Sequence, residues 1–201
     1  MKKIMFNDKY GLTQAVLAER KTQTRRIIPS ADHENRRYEG VLTISSKDGC
    51  KSILAQFSDK RVLSAYAIGE EVAIAQAYRD IAEFPLISEN IKGFSQSPGW
   101  KNKMFVSPVL MPHHIRITNI RVERLRDISD NDCLAEGIYK LKNIYTNGWN
   151  YSYRPIWRDL DMRDLFVTPK FAYVALIDKV SGKGTWDSNP FVFVYEFELV
   201  D

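Results

Sequence analysis

Ala18-Glu19-Arg20-Lys21-Thr22-Gln23-Thr24-Arg25-Arg26 is the stretch on which the reading of this chain turns. It closes a segment, residues 9–20, in which Leu12, Ala15 and Val16 recur at helical spacing. Just beyond that helix it sets one lysine, two threonine hydroxyls and a group of arginines. Between Arg20 and Arg37, six basic residues (Arg20, Lys21, Arg25, Arg26, Arg36, Arg37) stand against two acids, Asp32 and Glu34. That excess of four equals the net charge of the whole chain, 29 basic against 25 acidic residues, so the remainder balances. Charge concentrated in one segment points to an anionic partner more strongly than charge spread over a surface. Read without further context, the same residues also describe a solvated basic turn, with Thr24 an ordinary strand residue.

Working outward, 201 residues with 44% hydrophobic and 27% charged side chains suit one globular domain spanning 1–201 with a single core. Cys50 and Cys133 lie far apart and without metal-ligand spacing, so reduced thiols, a cytoplasmic location and neither metal nor cofactor are expected. The apolar run Ile4-Met5-Phe6 is too short for the core of a signal peptide, and no stretch reaches transmembrane length, so no membrane partner is expected. His113 and His114 are neighbours with no carboxylate or cysteine at ligand spacing. Adjacent strand residues point to opposite faces, which suits strand-edge histidines rather than a chelate.

The remaining elements follow from periodicity and turn chemistry. Residues 4–6 read as a short strand. Val41-Leu42-Thr43-Ile44 and Ile53-Leu54-Ala55-Gln56-Phe57 flank Asp48-Gly49 as a hairpin. In the strand 71–78, Ala73, Ala75 and Ala77 share one face, and their small size implies a closely packed neighbour. Residues 79–103, with Pro85, Gly93, Pro98 and Gly99, read as an insertion, after which Met104-Phe105-Val106 resumes strand character. Along the strand 115–125, Ile115 and Ile117 share one phase and Ile120 and Val122 the other, which predicts a bulge near Asn119. Ser129 is placed to cap a short helix that Gly137 ends, and Thr168-Pro169 to open a longer one that stops at Gly182. Alternation over 190–199 predicts a half-buried closing strand. The sum is an α+β fold, a small mixed sheet or barrel with short flanking helices and insertions near 29–65, 80–100 and 139–166. The last insertion carries Tyr139, Tyr145, Trp149, Tyr151, Tyr153 and Trp157, with Arg154 and Arg158 interleaved. Such a segment either stacks nucleobases or packs as a lid. Trp100 and Trp186 read as anchors.

Lys21-Thr22-Gln23-Thr24-Arg25-Arg26 after a helix resembles the G-x-K-x-x-T-x-R signature of the ASCH domain, a family of PUA-like β-barrels. Gly69-Glu70-Glu71-Val72 is similar to the family's turn into a barrel strand. The strand 117–125 followed by Ile128-Ser129-Asp130 and Leu134-Ala135-Glu136-Gly137-Ile138 resembles its strand and short acidic helix. Trp186-Asp187-Ser188-Asn189-Pro190-Phe191 is similar to longer, phage-associated members. One position departs: the leading glycine is Glu19, where a helix-ending left-handed turn is due, and an L-residue pays about 1 kcal/mol or more there.

The resemblance implies a PUA-like barrel with a cleft lined by Lys21, Thr24, Arg26 and Glu136. There RNA or a modified nucleotide would be bound, with Arg20, Arg25 and Arg26 as the basic contacts. It also implies an enzymatic alternative, since certain small bacterial members look like amidohydrolases that deacetylate N4-acetylcytidine. Thr24 is then the nucleophile, Lys21 its base and Glu136 the acid/base. A poor hydroxyl nucleophile needs a base, a lysine is one only when its pKa is lowered, and a departing amine needs a proton. Lys21→Ala is expected to abolish turnover with the fold intact. Glu136 ends its helix, where a negative charge opposes the dipole by ~0.3–1 kcal/mol. A surface ion pair with an arginine is the plainer reading of that residue. A third class is an accessory interaction protein of a phage or mobile element, in which the insertions carry the function.

Overall fold

The structure, a computed structural model, describes residues 1–29, 37–143, 146–155 and 164–200. Asp32, Glu34 and Arg36 of the basic stretch, and Tyr145, Trp157 and Arg158 of the aromatic segment, lie outside the described residues. The strands are β1 (Lys2–Ile4), β2 (Gln23–Ile27), β3 (Tyr38–Ser45), β4 (Lys51–Phe57), β5 (Arg61–Leu63), β6 (Glu71–Ile74), β7 (His114–Arg124), β8 (Tyr139–Lys142), β9 (Trp149–Ser152) and β10 (Phe191–Leu199). The helices are α1 (Leu12–Leu17), α2 (Pro85–Ser88), α3 (Ile91–Ser95), α4 (Asp130–Ala135), α5 (Pro169–Ser181) and α6 (Thr185–Ser188).

The principal sheet has five strands in the order β1-β6-β7-β10-β2, with β1 parallel to β6 and the other pairs antiparallel. It is an open α+β sheet. Its edges are β1 and β2, and no ladder among the described residues closes it into the expected barrel. Strand β10 is central rather than half-buried: pairing on both edges leaves Phe191–Tyr195 buried on both faces. The register between β10 and β7 shifts where Glu196 faces Asn119 and Phe197 faces Ile117. One extra residue, Thr118, sits in that bulge, and it is what lets Ile115, Ile117 and Ile120 all be buried.

Within its described part the segment 29–65 carries the expected hairpin and one further strand. Strands β3, β4 and β5 form an antiparallel sheet around the Asp48-Gly49 turn, and Ile53, Ala55 and Phe57 enter the main core. The alanine face has the close neighbour its small residues imply. Strand β6 ends at Ile74, and Ala73 and Ala75 pack with Tyr78, Ile81, Ile87, Val106 and Met111 in a second cluster beneath α2 and α3. Residues 104–106 are not a strand. Lys103–Phe105 is a 3-10 turn capped by Asn102, and Met104 and Phe105 are exposed.

Two further shifts bear on the site. The first strand lies at Lys2–Ile4, and the expected helix over 9–20 is broken. Asp8–Tyr10 is a 3-10 turn, Gly11 adopts φ +66°, and α1 begins at Leu12. Only glycine takes that left-handed position without strain, so the break is written at Gly11. Helix α5 is opened by Thr168, whose hydroxyl accepts from Phe171 N at 3.2 Å, and it buries Ala172, Tyr173, Leu176 and Ile177 in the main core. Among the described residues no helix is long and apolar enough to cross a membrane.

Candidate functional site

Two helix ends deliver the central pair. At the end of α1, the backbone N–H groups of Arg20 and Lys21 both donate to Ala15 O, and Glu19 takes φ +54°. The chain turns there as a glycine would, although the residue is a glutamate. Thr22 N then donates to Ala135 O at 2.9 Å, which ties the entry of β2 to the last turn of α4. Helix α4 is itself fixed by a capping box, in which Ser129 accepts from Asp132 N and the Asp132 carboxylate accepts from Ser129 N. Glu136 is its C-cap residue, and Gly137 at φ +103° turns the chain away beside the Lys21 side chain. Residues 115 apart in sequence thus meet.

Lys21 is 2% exposed and Glu136 5%. The ammonium donates to Glu136 Oε2 at 2.6 Å, Glu136 O at 2.9 Å and Gln23 O at 2.7 Å, which uses all three of its protons. Burial lowers the Lys21 pKa, and the facing Glu136 carboxylate only partly restores it. Arg25 is saturated in the same way. Its guanidinium meets Glu123 Oε1 at 2.7 Å, Gln23 Oε1 at 2.7 Å, Glu136 Oε1 at 3.2 Å and Asp132 Oδ2 at 3.3 Å. Burial opposes its charge, but Glu136 and Glu123 outweigh that and raise its pKa. Arg121 extends the network to Glu123, Asp132 and Glu196. The negative charge at the C-terminal end of α4 is therefore held by two buried cations.

Beside this network lies a cleft of about 800 Å³. Lys21, Thr24, Arg25, Arg26 and Glu136 all line it, so five sequence-derived site residues converge. Phe6, Leu12, Leu176 and Ile177 supply apolar wall, and Asp8, Lys9 and Lys103 add charge. Lys103 is committed to the protein, donating to Phe6 O and to Asp8 Oδ1 at 2.7 Å, whereas Lys9 is exposed. Thr24, on β2 opposite Tyr195, is a strand residue and a cleft residue at once, and among the described residues its hydroxyl has no hydrogen-bond partner. Arg26 donates to Met5 O at 2.7 Å through Nη2, while its Nε is buried without a partner among the described residues. The buried Tyr173 hydroxyl, from α5, likewise has no partner among them.

Two of the three expected basic contacts differ in their placement. Arg20 does not line the cleft: it donates to Gly137 O and stacks on Tyr139 at 3.6 Å, where it braces the start of β8. Arg25 lines the cleft, and its guanidinium is held by the carboxylates of Glu123, Asp132 and Glu136. Lys21 is likewise no clean target for truncation. Removing it leaves Glu136 short of a partner, so Lys21→Ala is expected to weaken the fold as well as the chemistry.

Sequence reasoning did not find Phe6, Lys9 or Tyr173. The first two precede the helix break at Gly11, and Tyr173 reads as one more core aromatic of α5. Only its unpartnered hydroxyl sets it apart. Among the described residues no group of three or more His, Cys, Asp or Glu side chains is able to hold a metal ion. Cys133, buried in α4 beside the network, has its thiol pushed up to about 12 by burial, which keeps it protonated. Compared with family models, curated proteins and solved structures, the chain finds no match.

Proposed function

We propose that this chain is an ASCH-type protein of PUA-like descent that binds RNA or a modified nucleotide in the cleft beside Lys21 and Glu136. The observation that carries the reading is the lining: the exposed Lys9, the half-buried Arg26, an apolar wall and two buried polar atoms without a partner among the described residues lie around one volume of about 800 Å³. Small-molecule sites have that size and that mixture. In this reading Lys9 and Arg26 meet phosphate, Phe6 and Leu176 flank the base, and Thr24 and Glu136 read its edge. Arg25 and Lys21 hold Glu136 in place. Titration of cytidine monophosphate and of a short single-stranded RNA at two salt concentrations tests it. Lys9→Ala and Arg26→Ala are expected to weaken binding and flatten its salt dependence. Unchanged affinity in both, and in Thr24→Val, would place the ligand elsewhere.

A second reading, deacylation of an N4-acylated cytidine-type nucleoside, is favoured by a buried Lys21 of lowered pKa that lines the same cleft as Thr24 and touches Glu136. Proton transfer across the 2.6 Å contact from Lys21 Nζ to Glu136 Oε2 produces a neutral amine and a carboxylic acid. Those are the states that a base and an acid require. Thr24 Oγ1 would then attack the acyl carbon as Lys21 takes its proton, and Glu136 would protonate the departing amine. Water would release the acyl group from Thr24 and restore the hydroxyl. The assay is acetate release from N4-acetylcytidine, with Thr24→Val as the control because that change leaves the ion network alone. Release that persists in Thr24→Val would exclude this nucleophile.

A further inference from the structure

Three buried side-chain polar atoms lack a partner among the described residues: Arg26 Nε, Tyr173 Oη and Gln76 Oε1. The first two belong to residues lining the cleft. Buried polar groups are hydrogen-bonded as a rule, and an orphan forfeits the solvation it had in the unfolded chain. Two orphans at one cleft point to a partner that arrives from outside the protein.

Tyr173 is the more informative of the two. It is 2% exposed, sits mid-helix in α5, and lies within electrostatic reach of both Glu136 and Arg25. Phenylalanine would fill the same apolar position without an orphan, and the neighbouring Ala172, Leu176 and Ile177 need no hydroxyl. Burial and the negative charge of Glu136 raise the Tyr173 pKa well above its ordinary value, so the group is a hydrogen-bond donor at every physiological pH. Glu136, by contrast, offers acceptors. Its Oε2 takes one bond from Lys21 and its Oε1 one from Arg25, which leaves lone pairs on both oxygens. A donor and an acceptor thus lie together at the cleft.

Resting on the nucleotide reading above, we propose that Tyr173 is a ligand-recognition residue whose hydroxyl donates to an acceptor on the base edge while Glu136 accepts from the neighbouring donor. The cleft then selects molecules that present a hydrogen-bond donor beside an acceptor on one planar edge, which is the chemistry of a nucleobase and not of a sugar phosphate alone. Specificity follows because a ligand lacking the acceptor leaves the phenol unpaired.

Tyr173→Phe tests this with cytidine and uridine monophosphates as probes, titrated at low and high salt, beside thermal unfolding of the unliganded protein. The expected result is affinity lowered about tenfold for at least one of the two, the usual scale for one lost hydrogen bond. The loss should be equal at both salt concentrations, with the melting temperature unchanged or raised. Unchanged affinity for both would overturn the role of Tyr173 while leaving the cleft as the site. A lower melting temperature would show that the hydroxyl serves the fold and would overturn it too. A loss confined to low salt would mean a disturbed phosphate contact, again against the proposal. If the unaltered protein binds neither nucleotide, the nucleotide reading falls and the inference falls with it.

Discussion

Lys21, Arg25 and Glu136 line the same cleft as Thr24, Arg26 and Tyr173, yet the protein has treated the two groups in opposite ways. In the first group the cations are satisfied within the protein. Each ammonium or guanidinium proton that can be traced has an acceptor, and the carboxylates of Glu123, Asp132 and Glu136 surround one arginine. Among the described residues the second group keeps a buried Nε on Arg26 and a buried phenol on Tyr173 without partners, and Thr24 lines the same cleft. Charge alone would rank Arg25 above Tyr173 as a ligand contact. Pairing reverses the order: a satisfied cation is scaffold, and an orphaned neutral donor is where a ligand gains.

The widest gap between the groups should appear in stability. Glu136→Ala strands Lys21 and removes a partner of Arg25, so it is expected to cost about 3–5 kcal/mol in urea unfolding. Tyr173→Phe should cost nothing. The double change Lys21→Met with Glu136→Leu should cost less than either single change, because apolar replacement of a whole buried pair avoids the stranded charge. A double change as damaging as the sum of the singles would show that the pair acts independently of its contact.

A smaller effect is expected at the left-handed turn that ends α1. Glu19 occupies φ +54° near neither group's ligand-facing atoms, and Glu19→Gly should stabilise the fold by about 1 kcal/mol without altering binding. A destabilised variant would mean that the Glu19 side chain does more than occupy a turn.

The alkaline limb offers a still finer distinction. Tyr173 has a raised pKa when folded, so above pH ~10 the unfolded chain loses its phenolic proton first and stability falls as pH rises. Tyr173→Phe should make that decline shallower. Lys21 acts in the opposite sense, since its lowered pKa makes stability rise with pH below the usual lysine range. Smallest of all, Thr24→Val should change stability by less than ~0.5 kcal/mol, because an unpartnered hydroxyl is removed, while ligand affinity or turnover drops.

Much of this was legible from residue types and spacing. The bulge near Asn119 followed from the phase change between Ile117 and Ile120, because burial on one face forces an extra residue into the strand. The capped helices at Ser129 and Thr168 were written in local hydrogen-bond chemistry. The Asp48-Gly49 hairpin was written in its turn. What escaped was long-range. The break at Gly11 lay inside a clean helical spacing, since one permissive residue outweighs an apolar period. Strand β10 looked half-buried because Glu196 and Glu198 alternate with aromatics, yet they fall only after Tyr195 and the valines before them are buried. At the site, the residues from 20 to 26 were legible as a group but their sorting was not. Which arginine meets a carboxylate and which faces the cleft depends on Glu123, Asp132 and Tyr139, about a hundred residues away.

Chemical-shift mapping of the nitrogen-15-labelled protein during titration with cytidine monophosphate tests the central claim most directly. The expected result is saturable shifts at Thr24, the Arg26 Nε–H, Glu136 and Tyr173, with Arg20 and the β3–β4 hairpin unmoved. Shifts confined to the β8–β9 hairpin, or none at saturating nucleotide, would contradict it.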